Sequence, residues 1–132
     1  MPQGPQLSTA DRRIMIVDDD PDLLILLRMI FEQEQYEVLT VDSGKDCIEE
    51  LEHGFKGIVL MDLMMPFMDG WSTIRKIVNM GLDKNVIISI ISAKNCPDKQ
   101  KMQELKPYIH DYIAKPFDIN GLLSSITHLF PT

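Results

Sequence analysis

Short apolar runs alternate with longer amphipathic stretches along this chain of 132 residues. The apolar runs, each four to eight residues long as buried strands commonly are, read RIMIV, YEVLTV, GIVLM, NVIISIIS and DYIA. The stretches between them carry helix-start signals: Pro21 opens PDLLILLRMIFEQ, Ser43 precedes GKDCIEELEHG, and Asp69 precedes GWSTIRKIVNMG. The two remaining helical stretches are PDKQKMQEL and DINGLLSSITHLF. The pattern therefore predicts five consecutive β-α units.

Strands that are apolar almost throughout are typical of a parallel sheet with helices on both faces. We therefore expect an α/β fold, a (βα)5 doubly wound five-stranded parallel sheet. Right-handed crossovers bring the C-terminal ends of all its strands to one edge, and open α/β sheets bind their ligands at that edge. The polar residues that directly follow each strand are thus the candidates for a functional site.

Charge and composition narrow the class of protein. The chain has 13 Lys and Arg residues and 20 Asp and Glu residues, a formal net charge of −7. This excess of acid disfavours direct binding to nucleic acid or to an anionic membrane. No apolar run is long enough to span a bilayer, and the N-terminus lacks the apolar core of a secretory signal. Cys47 and Cys96 form no CxxC pair, so we expect reduced thiols and a cytoplasmic location.

A single domain is expected over most of the chain, because the length suits one core and no repeat or Pro/Gly-rich linker divides it. We predict that residues 1–12 are a disordered polar lead-in and that residues 13–130 form the domain. The chain ends at Thr132, directly after the fifth predicted helix. We therefore expect either a stand-alone domain or a fragment of a longer protein.

Chemically active side chains follow four of the five predicted strands. Carboxylates crowded at a strand end repel one another, so a bound cation is expected to join them, and oxygen ligands suit Mg²⁺. A carboxylate can act as a nucleophile towards phosphorus, and an amine can stabilise the phosphoryl oxygens. The set therefore predicts Mg²⁺-dependent phosphoryl transfer to an aspartate. The active side chains are those of Asp18, Asp19, Asp20, Asp62, Ser92 and Lys115. Ala93 and Pro116 directly follow the last two and belong to the same candidate site.

The motifs VDDDPD, LMDLMMPFMDG, ISA and YIAKPF follow one another on the expected elements. In this the chain resembles the receiver domain of two-component response regulators, over residues 13–130. The resemblance implies a flavodoxin-like or chemotaxis-regulator-like sheet with the strand order 2-1-3-4-5. It also implies a phosphorylation-activated signalling switch that catalyses only its own phosphorylation and dephosphorylation, and is not otherwise an enzyme.

The resemblance further assigns a role to each motif position. Asp62 corresponds to the phosphoacceptor, which is also a metal ligand. Asp18 and Asp19 correspond to the acidic pair that holds Mg²⁺, or alternatively Mn²⁺, with Asp19 binding directly and Asp18 mainly through water. The backbone carbonyl of Met64 corresponds to a further metal ligand. Asp20 is the spare acid, and we expect it to cap the first helix.

Three further positions correspond to the switch of the family. Ser92, which Ala93 follows in the ISA motif, corresponds to the hydroxyl that meets the phosphoryl group. Lys115 corresponds to the lysine that binds the phosphoryl group, and Pro116 after it to a residue that the family usually holds in a cis peptide. Tyr112 corresponds to the aromatic residue that turns inward when Ser92 shifts.

The first helix is apolar over more than one face. At about 3.6 residues per turn its core stripe is predicted to comprise Leu23, Leu27, Ile30 and Phe31, with Leu26 beside it. Residues outside that stripe are either buried by neighbouring elements or form a docking surface. In the family that this chain resembles, a kinase's phosphohistidine domain docks on this helix. The resemblance thus predicts kinase docking at Leu23, Ile25, Leu26 and Met29.

Several alternatives and partners stay open at this point. A haloacid-dehalogenase-type phosphatase also uses an aspartyl phosphate, but its DxD motif is followed by Thr or Val, whereas Asp22 stands at the next alternate position here. A degenerate receiver that serves as a scaffold is the other alternative, although no key residue is missing. The expected phosphoryl donor is a sensor histidine kinase or a phosphotransfer protein. The output partner or output domain is unknown, and a phosphorylation-dependent dimer is a further possibility.

Overall fold

The computed structural model describes residues 12–93, 98–127 and 129. Within them, strands and α-helices alternate as the sequence pattern predicts. The predicted lead-in, residues 1–12, lies outside the described residues except for Arg12. The elements are β1 (Arg13–Val17), α1 (Pro21–Gln33), β2 (Glu37–Val41), α2 (Gly44–Glu52), β3 (Gly57–Met61), α3 (Gly70–Asn79), β4 (Val86–Ala93), α4 (Lys99–Leu105), β5 (Ile109–Lys115) and α5 (Ile119–Thr127).

All five strands are parallel, in the order β2-β1-β3-β4-β5, so the predicted fold is confirmed. The register aligns the C-terminal ends of the central strands, because Val17 of β1 is paired with both Val41 of β2 and Met61 of β3. Asp18 and Asp62 directly follow Val17 and Met61. The sheet therefore delivers these two carboxylates to the same edge.

The core consists of two apolar layers, one on each face of the sheet. Met15 and Val17 of β1 belong to the layer beneath α2, α3 and α4, whereas Ile14 and Ile16 belong to the layer beneath α1 and α5. All four side chains are fully buried. Successive strand residues point to opposite faces, so burial on both faces explains why the strands are apolar without alternation.

Three side chains cap helices at the positions that the sequence indicates. Asp20 accepts a hydrogen bond from the Asp22 N–H at 3.0 Å, so the expected cap of α1 is confirmed. Ser43 caps α2 and Asp69 caps α3, each by accepting a backbone N–H in the first turn. These bonds satisfy amide donors that have no partner within the helix.

The fourth β-α unit and the last strand differ from the simplest expectation. Helix α4 begins after Asp98, which caps it, and ends at Leu105, where the 3-10 turn Lys106–Tyr108 takes over. Pro107 lies in that turn and cannot continue an α-helix. Strand β5 is longer than DYIA because it starts at Ile109. His110 and Asp111 are polar, so the sequence pattern does not indicate a strand that begins at Ile109. Polar residues are tolerated there because β5 lies at the edge of the sheet.

Helix α1 also contacts the other edge strand, β2. The guanidinium of Arg28 donates to the Val38 carbonyl oxygen and to the Thr40 hydroxyl, both at 3.2 Å, and pairs with Glu32 at 3.3 Å. The Glu37 N–H donates to the Arg12 carbonyl oxygen, so the backbone groups of Glu37 point towards β1. The backbone groups of the next residue, Val38, therefore face the open edge of the sheet, which Arg28 partly covers.

No helix among the described residues is long and apolar enough to cross a membrane.

Candidate functional site

A cleft lies at the C-terminal edge of the sheet, where four strands end. Residues at or just after the C-terminal ends of β1, β3, β4 and β5 line it, as the edge rule for open α/β sheets predicts. Tyr112 and the predicted docking residues of α1 are not among the residues that line the cleft. The lining residues are Asp18, Asp19, Asp20, Asp62, Met64, Ser92, Ala93, Lys115 and Pro116.

Three carboxylates and one ammonium group meet in this cleft. Asp18 and Asp62 are buried, whereas Asp19 is exposed. One oxygen from each of the three lies within 4.8 Å of the others. The Lys115 Nζ lies 3.0 Å from Asp18 Oδ2 and 3.6 Å from Asp62 Oδ1. The Lys115 ammonium thus lies against the two buried carboxylates, and the oxygens of Asp18, Asp19 and Asp62 form a donor set that fits a hard divalent cation such as Mg²⁺.

The groups around Asp62 have opposing effects on the pKa of its carboxyl group. Burial raises the pKa of its carboxyl group above the ordinary value, and the neighbouring Asp18 raises it further. The Lys115 ammonium, the Met64 backbone N–H and the Ser92 hydroxyl lower this pKa by favouring the charged form. Asp62 is therefore a buried carboxylate whose negative charge depends on a ring of donors and cations.

Backbone hydrogen bonds fix the two buried acids. The Asp20 N–H donates to Asp18 Oδ1 at 2.9 Å, which holds the Asp18 carboxylate against the turn into α1. The Asp62 N–H donates to the Val17 carbonyl at 2.9 Å, so the bonding between β1 and β3 reaches the acid itself. Both acids are therefore hydrogen-bonded at the positions that directly follow β1 and β3.

Gly70 is a supporting residue that sequence reasoning missed. Its N–H donates to the Leu63 carbonyl at 3.0 Å. A Cβ atom at this position would lie 2.4 Å from the Asp62 carbonyl oxygen and 2.7 Å from the Leu63 Cα. The start of α3 therefore packs directly on the backbone that carries Asp62. The signal was the glycine that follows the helix cap Asp69 in LMDLMMPFMDG, although the letters alone do not reveal the contact.

A chain of hydrogen bonds leads from Asp62 towards β5. The Ser92 hydroxyl donates to Asp62 Oδ1 at 3.3 Å. The next residue, Ala93, accepts a hydrogen bond from the Tyr112 hydroxyl at its carbonyl oxygen, at 2.5 Å. A shift of the end of β4 at Ser92 would therefore also move the acceptor of Tyr112.

The exposure of the α1 side chains differs in part from the core stripe that the sequence analysis predicts. Ile25 and Met29 are 60% and 61% exposed, and Leu26, expected beside the core stripe, is 44% exposed. Leu24, expected outside the stripe, is half-buried and packs on the core, as does Leu23. The stripe is centred on Leu27; at about 100° per residue, Leu24 lies about 60° from that centre and Leu26 about 100°.

The fold and the cleft together define a class: an α/β domain with a buried aspartate in an acidic cleft at the carboxyl edge of a parallel sheet. The sequence pattern of the family described as "Response regulator receiver domain" matches residues 14–127. The chain belongs to the receiver domains of two-component response regulators, a signalling family.

The chain is similar both to a solved receiver domain and to parts of longer proteins. It is 43% identical to a CheY-like response regulator receiver domain protein of Methanospirillum hungatei, with a TM-score of 0.82 over 88% of this chain and 91% of that one. It is 30% identical to the transcriptional regulatory protein PcoR of Escherichia coli over 89% of this chain and 51% of PcoR. It is 29% identical to the sensor histidine kinase TmoS of Ectopseudomonas mendocina, over 95% of this chain and 13% of that kinase. The chain thus spans about half, or less, of these two longer relatives.

Proposed function

We propose that this chain is a phosphorylation-activated switch whose acceptor is Asp62 and whose receiver unit comprises residues 13–130, acting in the cytoplasm. One observation carries the proposal: the Asp62 carboxylate is buried beside the Ser92 hydroxyl and the Lys115 ammonium, in a group of oxygens that fits a divalent cation. Nucleophile, charge-stabilising groups and metal ligands are the parts that phosphoryl transfer to a carboxylate needs.

The residues of the cleft have distinct tasks in this reaction. An oxygen of Asp62 forms the new O–P bond while the N–P bond of a phosphohistidine breaks, and the donor imidazole leaves with a proton. The ammonium of Lys115 and the hydroxyl of Ser92 stabilise the transferred oxygens. Asp18, Asp19, Asp62 and the Met64 carbonyl would hold Mg²⁺, or Mn²⁺ in its place. When bound there, such an ion would supply positive charge that stabilises the charge on the transferred phosphoryl group.

Intact-mass analysis with Mg²⁺ and acetyl phosphate tests this function. We expect one added phosphoryl group, and we expect peptide mapping to place it on Asp62. The residues of the cleft should themselves promote both the phosphorylation of Asp62 and the later hydrolysis of the aspartyl phosphate. Omission of the divalent ion should suppress the addition. Steady release of phosphate from varied phosphoesters, without a stable adduct, would instead support a phosphatase, and no reaction at all would support a scaffold.

Ser92→Ala should separate phosphorylation from the structural response. The nucleophile and the metal ligands remain, so labelling should persist, slower by about tenfold through the loss of one hydrogen-bond donor. The link from the phosphoryl group through Ala93 to Tyr112 should be lost. NMR shifts of Tyr112, recorded with and without beryllofluoride, check this. Equal responses in wild type and variant would contradict the link.

We also propose that the exposed apolar side chains of α1 dock the phosphohistidine domain of the donor. Ile25, Leu26 and Met29 leave a patch that the core does not use, on a helix that begins beside the cleft at Pro21. An apolar patch of this kind fits a helical partner surface. Leu23 lies closer to the core and would contribute less.

Lysine substitutions on α1 test this docking surface. Ile25→Lys and Met29→Lys should each change the free energy of unfolding by less than about 0.5 kcal/mol, because both side chains are exposed. Each should slow transfer from a histidine kinase that labels the wild type by about tenfold or more. Acetyl-phosphate labelling should stay unchanged.

Met80→Lys is the matched control, since Met80 is an exposed methionine at the far end of α3. It should leave both reactions unaffected. Unfolding of either α1 variant would identify that residue as core, and transfer at the wild-type rate would place the docking surface elsewhere. Light scattering of the protein before and after phosphorylation tests whether phosphorylation produces a dimer.

A further inference from the structure

The loop between β3 and α3 holds an exposed aromatic ring on a left-handed backbone. Phe67 is fully exposed, at 109% of its reference area, and its φ angle is 67°. A left-handed conformation crowds the Cβ atom of any residue except glycine, and it is rare for a bulky side chain. A ring in water gains no burial that would offset this cost. The isolated domain therefore gains nothing from having phenylalanine at this position.

The same loop forms part of the rim of the cleft. Met64, three residues before Phe67, lines the cleft and is 64% exposed. Three residues of extended chain span at most about 11 Å, so Phe67 lies within that distance of the rim. Two exposed apolar side chains of the loop, Met64 and Phe67, thus lie near the place where phosphoryl transfer to Asp62 would occur.

The usual size of a protein interface indicates whether a protein bound over the cleft also reaches Phe67. A specific interface covers about 800 Å² on each partner, which corresponds to a disc of about 16 Å radius. A protein that brings a phosphorylated side chain over Asp62 must centre its contact on this cleft, and a disc of that size reaches Phe67. The ring is therefore within reach of a donor protein of ordinary interface size.

The negative charge at the rim of the cleft favours a partner whose contact surface is cationic. Asp19 and Asp20 line the cleft, Asp22 follows in the first turn of α1, and all three are exposed. A complementary surface carries cationic side chains around its phosphohistidine, because like charges would repel at close approach. Aromatic rings that enter apolar pockets are frequent anchors of such interfaces.

We propose that Phe67 is an anchor residue for the phosphohistidine-bearing donor, whose surface offers an apolar pocket beside a histidine flanked by cationic side chains. The proposal rests on the proposed acceptor role of Asp62. It adds a contact in the β3–α3 loop to the docking surface of α1. The left-handed backbone holds the ring outward before the donor arrives, so little conformational freedom is lost on binding.

Phe67→Gly tests the proposal, because glycine adopts the observed backbone freely and removes only the ring. Gln35→Gly is the matched control, since Gln35 also has a φ of 67° and lies in the turn between α1 and β2. Both variants should raise the midpoint of thermal unfolding. Phe67→Tyr keeps the ring and serves as the conservative variant.

Two phosphoryl donors separate docking from chemistry. The protein donor is an autophosphorylated histidine kinase, chosen in a prior screen because it labels the wild type fastest. The small donor is phosphoramidate, which carries the same N–P bond without a protein surface. For Phe67→Gly we expect kcat/KM with the kinase to fall about tenfold or more, mainly through KM, while labelling by phosphoramidate is unchanged. Gln35→Gly and Phe67→Tyr should match the wild type with both donors.

Wild-type kinetics of Phe67→Gly with the kinase would overturn the proposal, and so would an equal loss with both donors, which would mean a disturbed cleft. Loss of kinase transfer in Gln35→Gly would also overturn it, because relief of backbone strain would then be the cause. Failure of phosphoramidate to label the wild type at Asp62 would instead refute the acceptor role itself, so the two failures are distinguishable.

Discussion

Asp62→Asn is expected to reduce phosphoryl incorporation from every donor to background while the fold stays intact. The amide has nearly the same shape as the carboxylate but cannot form the O–P bond. Intact-mass analysis after incubation with Mg²⁺ and acetyl phosphate measures the loss. A stable adduct formed by the variant at the wild-type rate would show that another residue is the acceptor.

The same variant should be more stable than the wild type at neutral pH in metal-free buffer, by a few degrees in Tm. Burial and Asp18 raise the pKa of Asp62 in the folded protein. A raised folded pKa means that the contribution of Asp62 to stability is full below its unfolded pKa and is lost as the pH rises through the folded value. Asparagine does not titrate, so its advantage should appear near pH 7 and shrink in acid. Thermal melts in EDTA at several pH values check this sign.

Gly70→Ala should damage both the fold and the site. The added Cβ would lie 2.4 Å from the Asp62 carbonyl oxygen, and this backbone neighbour cannot rotate away as a side chain could. We expect a loss of about 1–3 kcal/mol in the free energy of unfolding, the usual scale of overpacking. Labelling by acetyl phosphate should slow by about tenfold or more, because the backbone carrying the acceptor must shift.

Gly121→Ala is the control for this substitution. Gly121 lies in α5, where an added Cβ would meet Asp118 Oδ2 at an ordinary 3.4 Å. Alanine is the better helix former, so this variant should gain about 0.5–1 kcal/mol and label normally. Chemical denaturation and labelling rates compare the two. A Gly70→Ala protein as stable and reactive as the wild type would show that α3 does not fix the position of Asp62.

The sequence predicts the sheet and the contents of the cleft for a simple physical reason. Strands buried on both faces must be apolar throughout, and parallel strands connected by helices must end at one edge. Once five such runs are recognised, the residues after them are brought together by topology alone. Asp18, Asp62, Ser92 and Lys115 could therefore be grouped although up to 97 positions separate them.

Features that depend on exact packing could not be predicted in this way. The contact of Gly70 with Asp62 depends on how closely α3 approaches the loop. The left-handed backbone of Phe67 contradicts local preference, so no propensity argument could indicate it. Such exceptions to local rules are most informative near functional sites.

The hydrogen bonds of Arg28 along β2 have a consequence for solution behaviour. An edge strand offers unpaired amide and carbonyl groups on which another chain can add a strand, and this is a common route to aggregation. The guanidinium occupies the Val38 carbonyl and the Thr40 hydroxyl, and Glu32 holds it there. This charged cover occupies a carbonyl that an added strand would need, so it disfavours β-strand addition, and with it fibril-like self-association, at this edge of the sheet.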